Sequence, residues 1–412
     1  MLVSAAGLTI AAAWPAEGRA RPGALDPTFG TRGVVYPGMN FDPVHEAIAR
    51  AVVRRPDGRL VAAGWSDAPT SSTDPTSRSR IALVGLTSRG RLDSGFGTGG
   101  RVVSDLPSAQ EGALAMARLT DGRVVVAGWA DDRMLVARYT AVGALDPSFG
   151  DGGVANADLP GLGGKANAVI LRAGGRLLVA GESDGHMAIA RLTGEGRLDP
   201  GFGSGGVSLV DRGPGRDVGR AMAIDSRGRI VVAGQSGPFA VTTRLRANGT
   251  LDRGFGARGF SPGIRGDARA VAIGPDGGPI VGGILAPASQ PALLARYDAR
   301  GRLNRRFGRG GLVRFSNPAG LAINALKRDR HGRIFAAGGT SETFVARVGL
   351  NGVPSAAFGR RGVARHNLIE VDLDTARAMT LEPSGKIVTA GSAATGGDEG
   401  LDTDFSIVRC LG

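Results

Sequence analysis

The sequence has little of several residue types on which other classes of protein depend. Cysteine occurs once, at Cys410, so no internal disulfide can form. We expect this thiol to pack in the interior rather than to react. Aromatic residues make up only 5% of the chain, and no apolar run is long enough to span a bilayer. No segment shows a sustained 3.6-residue apolar period, so almost no helix is predicted.

Lysine is scarce as well, and the net charge of +13 comes almost entirely from arginine. The only lysines are Lys165, Lys327 and Lys386. An excess of cations favours a polyanionic partner such as nucleic acid, an acidic glycan or an anionic membrane. The alternative is that the arginines are periodic structural residues. Because the basic residues form no continuous run and are not interleaved with aromatics, nucleic acid is not favoured.

Glycine, in contrast, is abundant at 69 residues and recurs in a periodic motif. The stretch 143–154, Gly-Ala-Leu-Asp-Pro-Ser-Phe-Gly-Asp-Gly-Gly-Val, returns along the whole chain. Its Phe-Gly pair recurs after a first step of 67 residues and then at steps of 51 to 53. The seven copies begin at Phe29, Phe96, Phe149, Phe202, Phe255, Phe307 and Phe358. A fixed period of this length is the signature of a repeat architecture.

Two further motifs repeat with the same period. The first is Ala-x-Ala, a short run, Asp-Gly-Arg, a β-branched run and Ala-Gly, and the second is Leu-x-Ala-Arg-Tyr. Each unit therefore reads as four short strands separated by turns. In one copy these are 220–224, 229–233, 240–245 and 207–210. Four strands in a unit of about 50 residues, repeated seven times, predict an all-β fold, a single seven-bladed β-propeller.

These motifs resemble the delta-60 repeat family, a bacterial propeller domain of unknown function. The resemblance covers about residues 22 to 410. It implies a propeller that is often found on exported proteins, and it implies no activity and no catalytic residues. The later copies depart from the motif, since Asn304 and Ser355 stand in place of aspartate and Pro354 replaces leucine.

The predicted propeller occupies residues 21–412, and residues 1–20 are distinct from it. Their apolar run, Leu2 to Trp14, has the length of a signal peptide, although it lacks a basic start. We therefore expect a bacterial protein that is secreted or displayed at the cell surface. The chain ends on a strand of the third type, 404–409, with no fourth strand after it. We expect the N-terminal strand to complete the last blade, because closure removes exposed sheet edges.

The first repeat is longer than the others by about 14 residues. Residues 65–77 supply the extra length, and serine, threonine and proline dominate this segment. The composition predicts a protruding loop, which is either a binding element or a tolerated insertion.

One position of the Ala-x-Ala strand carries the candidate binding residues. Counting back eight residues from the turn glycine of each repeat gives Arg50, Leu114, Asn167, Arg220, Arg269, Asn324 and Arg377. If this strand is the innermost one, these side chains surround one mouth of a central channel. Guanidinium groups match carboxylate, sulfate or phosphate, so an anion site is predicted at the six polar members. The alternative is that each arginine bonds the neighbouring blade.

A second repeated arginine is predicted to have a structural role. It lies near the Leu-Asp pair of the glycine-rich motif, and a buried Arg–Asp bridge would hold each corner. The arginines are Arg138, Arg191, Arg244, Arg296, Arg347 and Arg409, and the aspartates are Asp26, Asp93, Asp146, Asp199 and Asp252.

Catalytic and metal-binding patterns are poor in this sequence, and no cofactor is predicted. Four acidic residues cluster near the C-terminus, but their spacing fits no EF-hand loop, so a solvated loop is expected. They are Asp398, Glu399, Asp402 and Asp404. The histidines, His45, His186, His331 and His366, fall at unrelated repeat positions. No nucleophile elbow, Walker loop or zinc cysteine pair occurs.

The sequence thus predicts a monomeric binding or scaffold module whose partner is a protein or an anionic glycan. A propeller-type lyase or hydrolase with an axial site is the first alternative. It would need a general base, for which His45 or Glu46, just before the first inner strand, is the candidate. A purely structural module is the second alternative.

Overall fold

The structure is a computed structural model, and strands dominate all of the chain that it describes. It describes residues 21–39, 46–71, 74–104, 106–155, 163–285, 292–315, 322–340, 342–368, 374–394 and 403–412. The helical content of these residues is one short 3₁₀ turn, Ala173–Gly175. No helix in this part of the chain is long and apolar enough to cross a membrane. The predicted all-β class is confirmed for the described residues.

The strands are short, as the alternation of β-branched runs and Gly-containing turns predicts. In chain order they are β1 (Val34–Val35), β2 (Ala47–Arg54), β3 (Leu60–Ser71), β4 (Asp74–Leu86), β5 (Arg101–Val103), β6 (Glu111–Arg118), β7 (Val124–Ala130), β8 (Arg133–Tyr139), β9 (Ala166–Leu171), β10 (Leu177–Ser183), β11 (His186–Leu192), β12 (Val207–Val210), β13 (Asp217–Ile224), β14 (Ile230–Ser236), β15 (Phe239–Leu245), β16 (Ile264–Ile273), β17 (Pro279–Leu285), β18 (Ala292–Arg296), β19 (Leu312–Phe315), β20 (Ile323–Arg328), β21 (Ile334–Gly338), β22 (Thr343–Val348), β23 (Val363–His366), β24 (Thr375–Leu381), β25 (Ile387–Ala394) and β26 (Thr403–Cys410).

Antiparallel pairing groups the strands repeat by repeat. The sheets have the orders β2-β3-β4-β5, β6-β7-β8, β9-β10-β11-β12, β20-β21-β22-β23 and β24-β25-β26-β1, and β13 to β19 form one seven-stranded sheet. This larger sheet arises because β16 serves two repeats. Its residues Ile264 and Arg265 pair with β15, and the remainder of β16 pairs with β17.

The two ends of the described chain lie in one sheet. Val34 and Val35 of β1 pair with Val408 and Ile407 of β26. The same N-terminal segment is held by Asp404, whose carboxylate accepts hydrogen bonds from the backbone N–H groups at positions 38 and 39. Asp404 is therefore a buried structural residue rather than part of a solvated loop, and its three acidic neighbours in sequence lie outside the described residues.

The first strand of each repeat contacts the first strand of the next, and the series returns to its start. The strands in this series are β2, β6, β9, β13, β16, β20 and β24, and β24 contacts β2. The core of the described residues divides into seven clusters, each built from two neighbouring repeats. Apolar residues on both faces of the strands bury their surface between sheets, which is why neither face is polar. Cys410 belongs to one cluster, and its burial raises the pKa of the thiol to about 12.

The glycine-rich motif forms a corner that links each repeat to the next. The Nε of Arg138 donates to Asp146 at 2.7 Å, and its Nη1 donates to the carbonyl of Gly194 in the following repeat. Its guanidinium lies 4.7 Å from the ring centroid of Phe149. The predicted Arg–Asp bridge is confirmed at four corners, the others being Arg191–Asp199, Arg244–Asp252 and Arg409–Asp26.

Three corners depart from this arrangement for identifiable reasons. In the first repeat Gly85 occupies the arginine position against Phe96, and Asp93 pairs with Arg59 at 3.2 Å instead. In the fifth and sixth repeats the aspartate is replaced, and the Nε atoms of Arg296 and Arg347 are buried without an acceptor among the described residues.

A ring of backbone hydrogen bonds joins successive corners. In each bond, the backbone N–H of the glycine in a Phe-Gly pair donates to a backbone carbonyl in the turn that precedes the next corner. The pairs are Gly30–Arg89, Gly97–Val142, Gly150–Glu195, Gly203–Asn248, Gly256–Arg300, Gly308–Asn351 and Gly359–Pro22.

The insertion of the first repeat differs from its prediction as a loop. Strands β3 and β4 continue outward as a ribbon, with Asp67 paired to Ser79 and Pro69 paired to Ser77. The composition misled because strand pairing depends on backbone N–H and C=O groups, and polar side chains such as serine do not prevent it.

Candidate functional site

The seven residues predicted at one position of the inner strands line a single cavity. They are Arg50, Leu114, Asn167, Arg220, Arg269, Asn324 and Arg377. The cavity has a volume of about 450 Å³, which lies in the range of small-molecule sites. The placement of these side chains agrees with the expectation that the Ala-x-Ala strand is innermost. We call them the inner ring.

A β-bulge turns each inner-ring residue toward the cavity. In β2 the register skips Arg50, since Ala49 pairs with Gly64 and Ala51 pairs with Ala63. The same skip occurs at every inner-ring position. A bulged residue leaves the ladder and changes the direction of its side chain. Without the bulge, this side chain would lie between two sheets like its neighbours.

The glycine of the Ala-Gly motif allows this bulge to form. A Cβ on Gly64 would lie 1.8 Å from the carbonyl oxygen of Ile48, which is backbone and cannot move aside. The equivalent distance is 1.6 to 2.0 Å for the corresponding glycine of each other repeat. The repeated Ala-Gly pair is therefore the sequence signal of the bulge, although by its pattern alone it indicates only the end of a strand.

In one part of the inner ring, the positive charges of the arginines are paired with a carboxylate of the protein itself. Asp267 is buried, and its two carboxylate oxygens accept from Arg220 Nε at 3.3 Å and from Arg269 Nε at 3.1 Å. Arg269 also donates to the Oδ1 of Asn324 at 3.3 Å, and Asn324 donates to the carbonyl of residue 376 at 2.9 Å. Asn167 donates to the carbonyl of residue 219 at 2.9 Å. These contacts support the structural alternative for this part of the ring.

Arg50 and Arg377 form the uncompensated part. The Nε atoms of both are buried and have no hydrogen-bond acceptor among the described residues. The guanidinium of Arg50 lies 4.9 Å from the ring centroid of Trp65, a contact that stabilises a cation without neutralising it. Strands β2 and β24, which carry the pair, are in contact.

Electrostatics make this part of the ring receptive to an anion. Burial, together with the charges of Arg377, Arg269 and Arg220, lowers the pKa of Arg50 to about 9. Burial and Arg269 also lower the pKa of Arg377, and the charge of Glu46 opposes that shift. An anion bound here would replace lost hydration and relieve the mutual repulsion of the cations.

Sequence reasoning missed two charged residues of the cavity, Asp267 and Lys327. Asp267 stands two residues before Arg269, a position where most repeats have a small or apolar residue. That departure from the repeat was the available signal. Only the fold shows that Asp267 reaches arginines of two adjacent repeats.

None of the other predicted candidates that the structure describes lines the cavity. His45 is outside the described residues, and Glu46 is exposed. His366 is buried, which lowers its pKa to about 4, and it does not line the cavity. No group of metal-ligating side chains occurs among the described residues.

The repeated antiparallel sheets, the corners and the cavity lined by the inner strands together define a β-propeller repeat protein. Three segments of the chain, residues 112–149, 175–202 and 228–255, match the family model "Domain of unknown function (DUF5122) beta-propeller". The predicted resemblance to a repeat propeller family of unknown function is confirmed in these segments. No curated protein matches the sequence significantly.

Solved structures with the same fold include lyases. Virginiamycin B lyase from Staphylococcus aureus matches with a TM-score of 0.54 and 10% identity, over 92% of this chain and 98% of that chain. A streptogramin B lyase structure matches with a TM-score of 0.53 and 10% identity, over the same shares. A catalytically inactive variant of the S. aureus lyase with quinupristin gives 0.52 and 9%, over 91% and 98%. At these identities the likeness shows the fold alone.

Proposed function

We propose that the repeats form one seven-bladed propeller, residues 21–412, in which the N-terminal strand β1 completes the last blade. The cyclic contacts of the seven inner strands and the seven corner hydrogen bonds support this closure. A single closed domain also accounts for the seven core clusters, because each pair of adjacent blades then shares one of them.

This propeller acts as a binding module that recognises an anionic ligand at the axial cavity. The observation that carries the proposal is the pair Arg50 and Arg377, which bulges direct into the cavity with buried, unpartnered Nε atoms. Where a corner keeps its aspartate, the structural arginine is paired within the protein, as Arg138, Arg191, Arg244 and Arg409 are. Because buried charges are costly unless compensated, an external anion is the natural partner of this pair.

The compensated side of the ring limits the size and charge of the ligand. Asp267 repels anions from the side of Arg220 and Arg269, so a compact anionic group would lie against Arg50 and Arg377. A carboxylate, sulfate or phosphate can accept from two guanidinium groups at once. The ligand is therefore a small anion or the anionic group of a larger molecule.

A thermal-shift titration of the full chain tests this proposal. Phosphate, sulfate, citrate, nucleotides and uronic acid oligosaccharides are the probes. We expect one anion class to raise Tm by a few degrees at saturation, since binding to the folded state alone stabilises it. The double variant Arg50→Asn/Arg377→Asn, which uses the residue of repeats three and six, should lose the shift. Asp267→Asn should enlarge it.

The matched control is Arg176→Asn/Arg197→Asn, which removes the same charge from exposed positions. If this control loses the shift as fully as the Arg50/Arg377 variant does, the effect is one of net charge and the axial site is wrong. If no anion shifts the wild-type protein, the anion-binding function is wrong as well.

A lyase or hydrolase with an axial site is the second candidate, and the fold shared with virginiamycin B lyase is what favours it. In that protein a histidine-to-alanine variant is catalytically inactive. The described residues that line the cavity here include no histidine, and their carboxylate, Asp267, is held by two arginines. A binding module should keep its ligand affinity in His45→Ala and Glu46→Gln, whereas an enzyme that uses either residue should lose turnover.

We further propose that the protein is exported and works as a monomer outside the cytoplasm. The signal-like segment 1–20 is the support for export. A fusion of this segment to a reporter that is active only after export tests it, and an inactive reporter would contradict it.

A further inference from the structure

We propose that the corners of the fourth, fifth and sixth repeats and the N-terminal corner form a second anion site, which binds a linear acidic polysaccharide. A corner is here the segment from the motif aspartate, or its substitute, to the last glycine of the motif. Eight arginines occupy four corners: one in 26–33, two in 252–259, three in 304–311 and two in 355–362. The other three corners contain none, namely 93–100, 146–153 and 199–206. We call the four arginine-bearing corners the basic arc.

Backbone conformation shows that three of these arginines are not placed by the demands of the turn. Arg32, Arg258 and Arg361 have φ of 53°, 55° and 54°. At the same position the other corners have glycine with φ between 58° and 64°. An L-residue is strained there and glycine is not. The arginines therefore replace a better-suited residue, which indicates a role for their side chains.

The arginines of the basic arc are exposed and unpaired. All eight are exposed to solvent, and none has a carboxylate within 4.0 Å among the described residues. The two corners that lack the motif aspartate, at Asn304 and Ser355, also belong to the arc. Compared with the other three corners, the basic arc thus has more arginines and fewer aspartates.

The four corners are consecutive in space. The N–H of Gly256 donates to the carbonyl of Arg300 at 2.7 Å, that of Gly308 to Asn351 at 2.8 Å, and that of Gly359 to Pro22 at 2.8 Å. Because packed sheets lie about 10 Å apart, four adjacent corners extend over roughly 30 Å. A small ion cannot reach along this length, whereas a polymer can.

The chemistry of the arc favours a glycan over other polyanions. Guanidinium groups bind carboxylate and sulfate through paired hydrogen bonds. The phenylalanines of these corners are fully buried, so no ring is available for a base to stack on. No exposed large apolar residue lies within the four corners to enter a bilayer. The anionic groups are then carboxylates or sulfates spaced along a flexible chain.

The test measures binding of fluorescent heparin and polygalacturonate oligosaccharides to the full chain. The arc variant is Arg258→Gly/Arg309→Ser/Arg361→Gly, which uses residues found at these positions in the third repeat. Since two of the changes relieve strain, the variant should fold at least as well as the wild type. We expect its affinity for one of the two glycans to fall roughly tenfold, because three exposed ion pairs are lost.

Three controls decide the outcome. Arg91→Ser/Arg176→Ser/Arg197→Ser removes equal charge from exposed positions outside the arc, and Arg50→Asn/Arg377→Asn alters the axial cavity; both should leave glycan affinity nearly unchanged. An equal loss in the first would mean that net charge alone is responsible, and a full loss in the second would place the glycan in the cavity. Duplex DNA or anionic vesicles that bind more tightly at equal salt would overturn the choice of a glycan.

Discussion

Two positions of the repeat carry arginine in four or more of the seven copies, and the environments of these two sets of arginines are opposite. Corner arginines such as Arg138 are paired with aspartate, lie over a phenylalanine and donate to the next repeat. Inner-ring arginines such as Arg50 and Arg377 are half-buried among other cations, and their buried Nε atoms have no acceptor among the described residues. The comparison shows that the repetition of a residue does not reveal its role. The role depends on the partner that the fold brings to the side chain.

The difference begins in the local backbone. At a corner, the arginine ends a regular strand and faces the Leu-Asp turn of its own repeat. In the inner ring, a bulge opposite a glycine turns the arginine out of the sheet into a shared cavity. One environment stabilises the folded chain, and the other leaves charge facing the cavity, where we propose that an anion binds.

The largest effect is expected where a corner arginine joins the two ends of the chain. Asp26→Asn removes the charge that pairs with Arg409 and Lys386, both at 2.7 Å. We expect a loss of about 3 kcal/mol in the free energy of unfolding, because the buried guanidinium of Arg409 loses its main partner. Denaturant unfolding measures it, with the exposed Asp151→Asn as the control. Equal stability of the two variants would contradict the structural role.

The same pair predicts a pH dependence. Burial raises the pKa of Asp26, but hydrogen bonds from Lys386 and Thr28 and the charge of Arg409 outweigh it and hold the pKa at about 2. A depressed pKa stabilises the fold above the unfolded value near 4, and this stability is lost as the pH falls toward 2. The difference between wild type and Asp26→Asn should shrink over that interval.

A smaller loss is expected when the inner-ring bulge is filled. In Gly234→Ala the new Cβ would lie 1.8 Å from the carbonyl oxygen of Val218. We expect a loss of about 2 kcal/mol in the free energy of unfolding, since the bulge that directs Arg220 must shift. Gly95→Ala, where the Cβ meets only Asp93 at 3.6 Å, is the control. If both variants unfold alike, the glycine is not what permits the bulge.

A gain is expected where a corner lacks its aspartate. Ser355→Asp places a carboxylate opposite Arg347, whose Nε is buried without an acceptor among the described residues. We expect the free energy of unfolding to rise by about 1 kcal/mol, as for a charge-assisted hydrogen bond. Ser204→Asp, at an exposed corner position, should change it little. A destabilised Ser355→Asp would show that desolvation exceeds the pairing.

The smallest effect is expected for Arg50→Asn, which should be as stable as the wild type or slightly more stable at pH 7. The pKa of Arg50 is lowered to about 9 in the fold, against more than 12 for a free guanidinium. The unfolded chain therefore binds the proton more tightly, and the penalty on the wild type is fully present below pH 9. Any advantage of the variant should decline above that pH. An advantage that grows above pH 9 would contradict this origin.

Much of the candidate site could be predicted from the sequence because the repeat supplies an internal alignment. Counting back eight residues from the turn glycine of each repeat located all seven inner-ring positions. Asp267 was missed because its role depends on Arg220, which comes from the preceding repeat 47 residues away. The ribbon at Pro69 was missed because composition does not report strand pairing.

The sequence by itself determined the class, the period and the positions of glycine that the backbone requires. These are local properties, since a turn or a bulge imposes its conformation on a few adjacent residues. Tertiary structure alone decided which arginines are paired and which are not. Charge pairing depends on residues that meet across repeats, and periodicity gives their spacing along the chain without giving the contacts between blades.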